Sequence, residues 1–278
     1  MKLNMFYVDD IIKTAINEDI NYIDTSADLV FDENDSTTAY FQAKADGVLC
    51  GLDVALRVFE LLDSTFKATV YKKDGDFVKS GELIADFSGK TACLLKGERT
   101  ALNLLQHMSG IATATNNAMK KIEGTNASVA DTRKTLPGLR ALQKYAVTVG
   151  GGKNHRYNLS DGVMLKDNHI DACGSITKAV EKVRQNLGHM VKIEVETRNL
   201  EEVKEALNTG VEVIMLDNMS CDDMKKAVEI TNGKALLEAS GNITDETIAN
   251  VAKTGVDIIS IGALTHSVKA FDISMKIK

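Results

Sequence analysis

The chain has no tryptophan and a single proline in 278 residues, and only 5% of it is aromatic. A proline-rich linker or ligand segment is therefore excluded. The four cysteines, Cys50, Cys93, Cys173 and Cys221, lie far apart and show no C-x-x-C spacing. That speaks against a zinc site and a disulfide framework and leaves buried thiols as the reading. No apolar run approaches the roughly 18 residues of a membrane span. The first residues, MKLNMFYVDDIIKTAINEDI, are broken by Asp9, Asp10 and Lys13 and do not resemble a signal peptide. Basic residues number 33 against 39 acidic ones, a net charge of −6. An acidic balance argues against general binding to nucleic acid or a membrane surface. A cytoplasmic protein is expected.

Arginine is scarce as well: seven of the 33 basic residues. Lysine serves wherever a solvated charge suffices, so the arginines mark places where a planar, bidentate grip on carboxylate or phosphate is wanted. Three of them, Arg133, Arg140 and Arg156, fall in Asp131–Ile170, and Arg99 lies upstream in KGERTALN. The stretch also holds Lys134, Lys144, Lys153 and Lys166 against Asp131, Asp161 and Asp167, with His155, His169, Pro137 and Gly150–Gly152 interleaved. It reads as a dense anion-binding site rather than a solvated basic face. Gly150–Gly152 also suits the end of a helix over 138–149.

A length of 278 residues with 44% hydrophobic and 26% charged content suits one large or two modest globular domains. The pattern predicts a helix over 8–17, a strand over 37–48, a helix over 52–62 and a strand over 66–71. Lys73–Phe87 reads as a hairpin or small sheet around two glycine turns. A long helical region follows over 92–122, with a possible break at Ser109-Gly110.

From Ser128 strands and helices alternate. Strands are predicted at 128–132, 162–166, 191–197, 212–217, 234–239 and 256–261, with helices at 138–149, 175–187, 199–208, 221–231 and 244–253. The near-constant spacing suits a repeated βα unit with strands buried on both faces. Polar residues crowd the C-terminal strand ends: Thr132-Arg133-Lys134, Lys166, Glu196, Asp217, Ser240-Gly241-Asn242 and Gly262-Ala263. Such ends converge at one mouth in a βα barrel, and six of them favour an incomplete barrel over an open doubly wound sheet.

That mouth suits a polyanionic, phosphorylated substrate. Glu196, which points the same way as Glu194, and Asp217 are candidate Mg²⁺ ligands. Asp217 could instead cap the following helix, with Asn218 and Ser220 also available for that role. Ser240-Gly241-Asn242, ahead of a helix starting near Thr244, and Gly262-Ala263 read as phosphate cradles. His155 reads either as a donor to a carboxylate or as a satisfied loop histidine. Arg99 reads either as an anion contact or as a surface residue beside Glu98.

The ordered motifs ERTALN at 98–103, SGIAT at 109–113, DTRKTxPGxR at 131–140, GGGxxHR at 150–156, LxDxxxxKDNH at 159–169, EVE at 194–196, LDN at 216–218, ExSG at 238–241 and GALTHS at 262–267 resemble those of quinolinate phosphoribosyltransferases. The resemblance implies an N-terminal α/β sandwich domain over 1–108, with 268–278 packing back on it, and an incomplete β/α barrel of about six strands over 109–267. It implies transfer from phosphoribosyl pyrophosphate to quinolinate with loss of CO₂, giving nicotinate mononucleotide and pyrophosphate, with Mg²⁺ as cofactor, in NAD biosynthesis. It places Arg99, Thr132, Arg133, His155, Arg156, Lys166 and His266 among the substrate-binding residues. Lys134, Glu196 and Asp217 fall on catalytic positions, the two carboxylates also on metal positions, and Ser240, Gly241, Asn242, Ile261, Gly262 and Ala263 on phosphate loops. It further implies a homodimer in which Arg99 reaches the neighbouring site. Asn242 departs from the second glycine of many relatives, although Asn tolerates left-handed backbone. Two other readings stay open: a Schiff-base barrel enzyme with Lys166 as nucleophile, and a non-catalytic paralogue that binds a phosphorylated ligand.

Overall fold

A computed structural model describes residues 2–278. In chain order its strands are β1 (Ser36–Ala43), β2 (Gly47–Val48), β3 (Lys67–Val70), β4 (Phe77–Val78), β5 (Leu83–Lys90), β6 (Ser128–Ala130), β7 (Val163–Leu165), β8 (Ile193–Thr197), β9 (Val213–Asp217), β10 (Leu236–Ser240), β11 (Ile258–Ser260) and β12 (Ile273–Ile277). Its helices are α1 (Met5–Asp19), α2 (Ala27–Val30), α3 (Leu52–Leu62), α4 (Thr91–Lys121), α5 (Arg140–Val149), α6 (Asp167–Cys173), α7 (Ile176–Asn186), α8 (Leu200–Asn208), α9 (Cys221–Thr231), α10 (Ile248–Ala252) and α11 (Ala263–His266). Two compact units form: Met1–Asn116 with Thr135–Gly151 and Leu264–Lys278, and Asn117–Lys134 with Gly152–Ala263.

The first unit is built on an antiparallel sheet in the order β12-β1-β5-β3. Four phenylalanines cluster in its interior. Phe41, Phe59, Phe66 and Phe87 meet at ring-centroid distances of 4.8 to 6.1 Å, tilted and stacked arrangements that add to area burial. Asp74 caps α3 from a distant loop, accepting from the backbone N–H groups of Gly51 (2.9 Å) and Leu52 (3.1 Å).

Of the two readings of Lys73–Phe87, hairpin and small sheet, the hairpin fails: β4 pairs with β2 in a two-stranded sheet, whereas β5 pairs with β1 and β3. The glycine turns are present, Gly75 and Gly81 both having positive φ, but they redirect the chain to partners distant in sequence. The suspected break at Ser109-Gly110 is absent, and α4 runs unbroken. Ser109 Oγ accepts the Cys50 N–H at 2.9 Å. A Cβ on Gly110 would collide with the backbone oxygen of Lys269. The glycine permits close packing and the serine ties two segments, so neither interrupts the helix.

The second unit is a six-stranded parallel sheet in the order β6-β11-β10-β9-β8-β7. Taken as a ring, this is the order of a barrel cut between β6 and β7. At the cut, Lys153 makes an isolated parallel bridge to Ala130. The regularity has a local cause in repeated N-caps. The side chains of Ser175, Asn199 and Ser220 accept from the N–H groups of Lys178, Glu202 and Asp223, fixing the starts of α7, α8 and α9. The helix expected from Thr244 is shorter, starting at Ile248 after a turn. No helix among the described residues is long and apolar enough to cross a membrane.

Candidate active site

A cavity of about 590 Å³ opens at the C-terminal strand ends of the second unit. Side-chain parity builds its wall. Met164 and Lys166 flank Leu165; Glu196 comes from β8, Met215 and Asp217 from β9, Glu238 and Ser240 from β10, and Ser260 from β11. Residues two apart on a strand share a face. Thr132, Arg133 and Lys134, His155 and Arg156, and Asn218, Gly241 and Asn242 complete the lining.

The cations are held close together. Arg156 Nη1 donates to the Gly162 carbonyl at 2.8 Å. Burial lowers the guanidinium pKa below its ordinary value, the charge of Arg133 lowers it further, and Glu194 opposes both. Arg133 Nε is buried without a hydrogen-bond partner. A buried charged donor is costly to leave unsatisfied, so this pair is poised for an anion. Thr132 Oγ1 accepts the Lys134 N–H at 3.0 Å and shapes the turn after β6. Lys166 Nζ lies 3.2 Å from Glu196 Oε2, its side chain half-exposed. That solvated ion pair differs from the desolvated amine of a Schiff-base nucleophile.

His155 is drawn to the cavity floor. Its backbone N–H donates to buried Asp131 at 2.8 Å, and its Nδ1 accepts the Arg156 N–H at 2.7 Å. The ring proton therefore sits on Nε2, 3.0 Å from Glu194 Oε2 and 3.6 Å from Glu238 Oε1. His155 lines the cavity, and its Nε2 faces the protein's own glutamates. Glu194 and Glu238, which open the EVE and ExSG motifs but are given no role by the sequence reading, are functional candidates. Donor atoms of the three groups lie within 4.8 Å of one another, close enough to share one proton or one cation. Burial pushes the Glu238 carboxyl up to about 7; Glu194 adds to this, while His155 and the Ser260 hydroxyl oppose it.

At the rim, helix capping and cavity lining fall to different residues. Ser220 caps α9 and Asp217 lines the cavity, its Oδ2 accepting from Asn218 Nδ2 at 2.8 Å. Asn242 has φ 49° and Gly241 φ 93°, so the loop keeps left-handed geometry with Asn in place of a second glycine. Asn242 Nδ2 donates to Asn218 Oδ1 at 3.1 Å, and a Cβ on Gly241 would collide with the Asn218 amide. The shortened α10 removes the helix N-terminus expected behind this loop, leaving backbone and side-chain donors. Ile261 donates its N–H to the Ala130 carbonyl at 2.9 Å. The cavity lining ends at Ser260, and Ile261, Gly262 and Ala263 are outside it. His169 serves locally, its Nδ1 accepting the Lys166 N–H at 3.0 Å.

Arg99 and His266 belong to the first unit and are both exposed. So do Arg140, whose Nε donates to Thr135 Oγ1 at 2.9 Å, and the fully buried Lys144. The basic stretch therefore serves two units rather than one site.

Fold and cavity define a class: a β/α protein whose strand ends surround a cavity lined by clustered cations and carboxylates. Comparison with known proteins makes this specific. The N-terminal domain of quinolinate phosphoribosyl transferase matches residues 24–109, and its C-terminal domain matches residues 111–276. A probable nicotinate-nucleotide pyrophosphorylase [carboxylating] of Bacillus subtilis is 47% identical over 94% of this chain and 90% of its own. The crystal structure of NadC from Streptococcus pyogenes superposes with a TM-score of 0.96 at 44% identity, covering 99% of this chain and 98% of that one. The nicotinate-nucleotide pyrophosphorylase of Francisella tularensis gives 0.95 at 40% identity, covering 100% and 98%. The chain belongs to the quinolinate phosphoribosyl transferase family.

Proposed function

We propose that this chain transfers the phosphoribosyl group of phosphoribosyl pyrophosphate to the ring nitrogen of quinolinate, with loss of CO₂, forming nicotinate mononucleotide and pyrophosphate for NAD biosynthesis. The observation that carries the reading is the unpartnered, buried Arg133 Nε beside Arg156. A dicarboxylate supplies the missing acceptors and screens the two guanidinium charges. Arg133, Arg156 and Lys166 orient the ring, with Thr132 shaping the turn and His155 backing Arg156 from the floor. Lys134 meets the pyrophosphate. Ser240, Gly241 and Asn242 hold the 5′-phosphate, and Ile261, Gly262 and Ala263 support the end of the same wall. Orientation is the main contribution to a displacement that needs no covalent nucleophile. Positive charge developing at the ribose carbon is stabilised by Glu196 and Asp217.

Glu196 and Asp217 are hard oxygen donors on one cavity wall. Two carboxylates form no closed cage, which suits Mg²⁺, an ion that completes its shell with water and phosphate oxygens. Glu196 and Asp217 would hold the ion, and the chemistry it would supply there is neutralisation of charge on the leaving pyrophosphate. The working unit is proposed to be a homodimer in which exposed Arg99 reaches the neighbouring site. The four free thiols suit a reducing, cytoplasmic setting.

The test is product analysis with phosphoribosyl pyrophosphate, Mg²⁺ and either quinolinate or nicotinate. Nicotinate mononucleotide with equimolar CO₂ is expected from quinolinate; its absence sinks the reading. Chelation abolishing turnover, with recovery on adding Mg²⁺, checks the metal. Mixing Arg99→Ala chains with Lys166→Ala chains tests the dimer, since each inactive parent supplies what the other lacks.

A further inference from the structure

We infer that Glu238 donates the proton that replaces the departing carboxyl group on the pyridine ring. This rests on the reaction proposed above, in which the carbon losing CO₂ retains an electron pair and must gain a proton.

Position comes first. Glu238 lines the same cavity as Arg133, Arg156 and Lys166, the groups proposed to hold the substrate carboxylates. A residue facing a bound dianion is tolerated there far better as a neutral acid than as a third carboxylate.

The local geometry assigns that proton. Glu238 is 2% exposed, and its Oε1 is buried with no hydrogen-bond partner. The charged groups facing it are Glu194 from β8, His155 from the loop preceding β7, and Asp131 after β6; β9 offers Met215 and β11 offers Ser260. Glu194 Oε2 takes the His155 Nε2–H at 3.0 Å, whereas Glu238 Oε1 lies 3.6 Å from that nitrogen, and Glu194 Oε1, like Glu238 Oε1, is buried without a partner. Two carboxylates packed so closely out of water do not both ionise, so the second, Glu238, keeps its proton. Its raised pKa of about 7 agrees with that. The His155 N–H is already given to Glu194.

In the step, the C–CO₂ bond breaks and leaves its electron pair on the ring carbon. The Glu238 O–H bond breaks, its proton forms the new C–H bond, and the O–H pair stays on the carboxylate. Water restores the proton when product leaves.

Glu238→Gln keeps the shape and removes the acid. In single turnover, pyrophosphate release is expected to stay within about 3-fold of wild type, while nicotinate mononucleotide formation slows ~10²-fold or more, the order for a lost general acid. Quinolinate Kd, by calorimetric titration, is expected within about 3-fold. Parallel loss of both products, a weakened Kd that accounts for the defect, or an unimpaired variant overturns the inference. So does a stoichiometric metal ion retained by dialysed wild-type protein at His155, Glu194 and Glu238. Glu238→Asp serves if the glutamine variant does not fold: its high-pH limb of product formation must move, and an unmoved limb overturns the proposal. Wild-type protein making no nicotinate mononucleotide would instead sink the reaction itself.

Discussion

The interiors of the two units are filled on opposite terms. Inside the first, Phe41, Phe59 and Phe87 pack with Leu94, Leu105 and Met108. Inside the second, at the strand ends, the inward positions go to Lys166, Glu194, Glu196, Asp217, Glu238 and Ser240. An aromatic core gains from burial, whereas buried like charges cost stability unless a ligand or proton offsets them. One interior is arranged for stability and the other gives some of it up for a site.

That contrast is broken most forcefully at Phe59. Phe59→Ala should cost about 3–5 kcal/mol, the range for truncating a fully buried phenylalanine, read by urea denaturation. A cost below about 1 kcal/mol would remove the first half of the comparison.

Next comes the pH dependence of the second interior. A carboxyl whose folded pKa is raised adds stability that is full below its unfolded value of 4.5 and is lost as pH climbs through about 7. Wild type should therefore lose stability relative to Glu238→Gln between those limits, by at most about 3 kcal/mol, and the gap should plateau above. Denaturation at pH 4.5, 6 and 8 reads the gap; a gap constant with pH contradicts it.

Arg133→Ala should lower kcat/KM for quinolinate by ~10²-fold. Its melting temperature should not fall, because the substitution removes an unpaired buried donor. A large drop in stability would mean that Arg133 holds structure rather than substrate. The smallest effect belongs to the rim: Asn242→Gly should change KM for phosphoribosyl pyrophosphate by less than about 5-fold, the order of one neutral hydrogen bond.

Much of the second unit was legible because its signals are local. The βα spacing, the caps at Ser175, Asn199 and Ser220, and the polar strand ends can be read within a few residues of each other. The errors share a different cause. Gly110 looked like a breaker because its reason, the Lys269 backbone, lies far along the chain. Lys73–Phe87 leaves hairpin and small sheet open because local turns do not say which strands will pair. The helix expected from Thr244 was shortened to Ile248–Ala252 by a turn whose hydrogen bonds involve Thr244 and Thr247. In the site, Arg133, Lys134, Arg156, Lys166, Glu196 and Asp217 do line one cavity. Glu194 and Glu238 carry a weaker signal: each shares the parity of a mouth residue two positions on, Glu196 and Ser240, and a glutamate within an otherwise apolar parallel strand needs a partner.

The pairing of β1 with β12 carries a consequence for how the protein is made. Ala39 through Ala43 meet Ile277 through Ile273, so a strand translated early waits for one translated late. Until then one edge of the first sheet is open, and open edges recruit other strands. Nascent chains should therefore need protection until Ile273–Ile277 have been made. A bulky tag joined directly after Lys278 should depress the yield of folded protein more than the same tag placed before Met1.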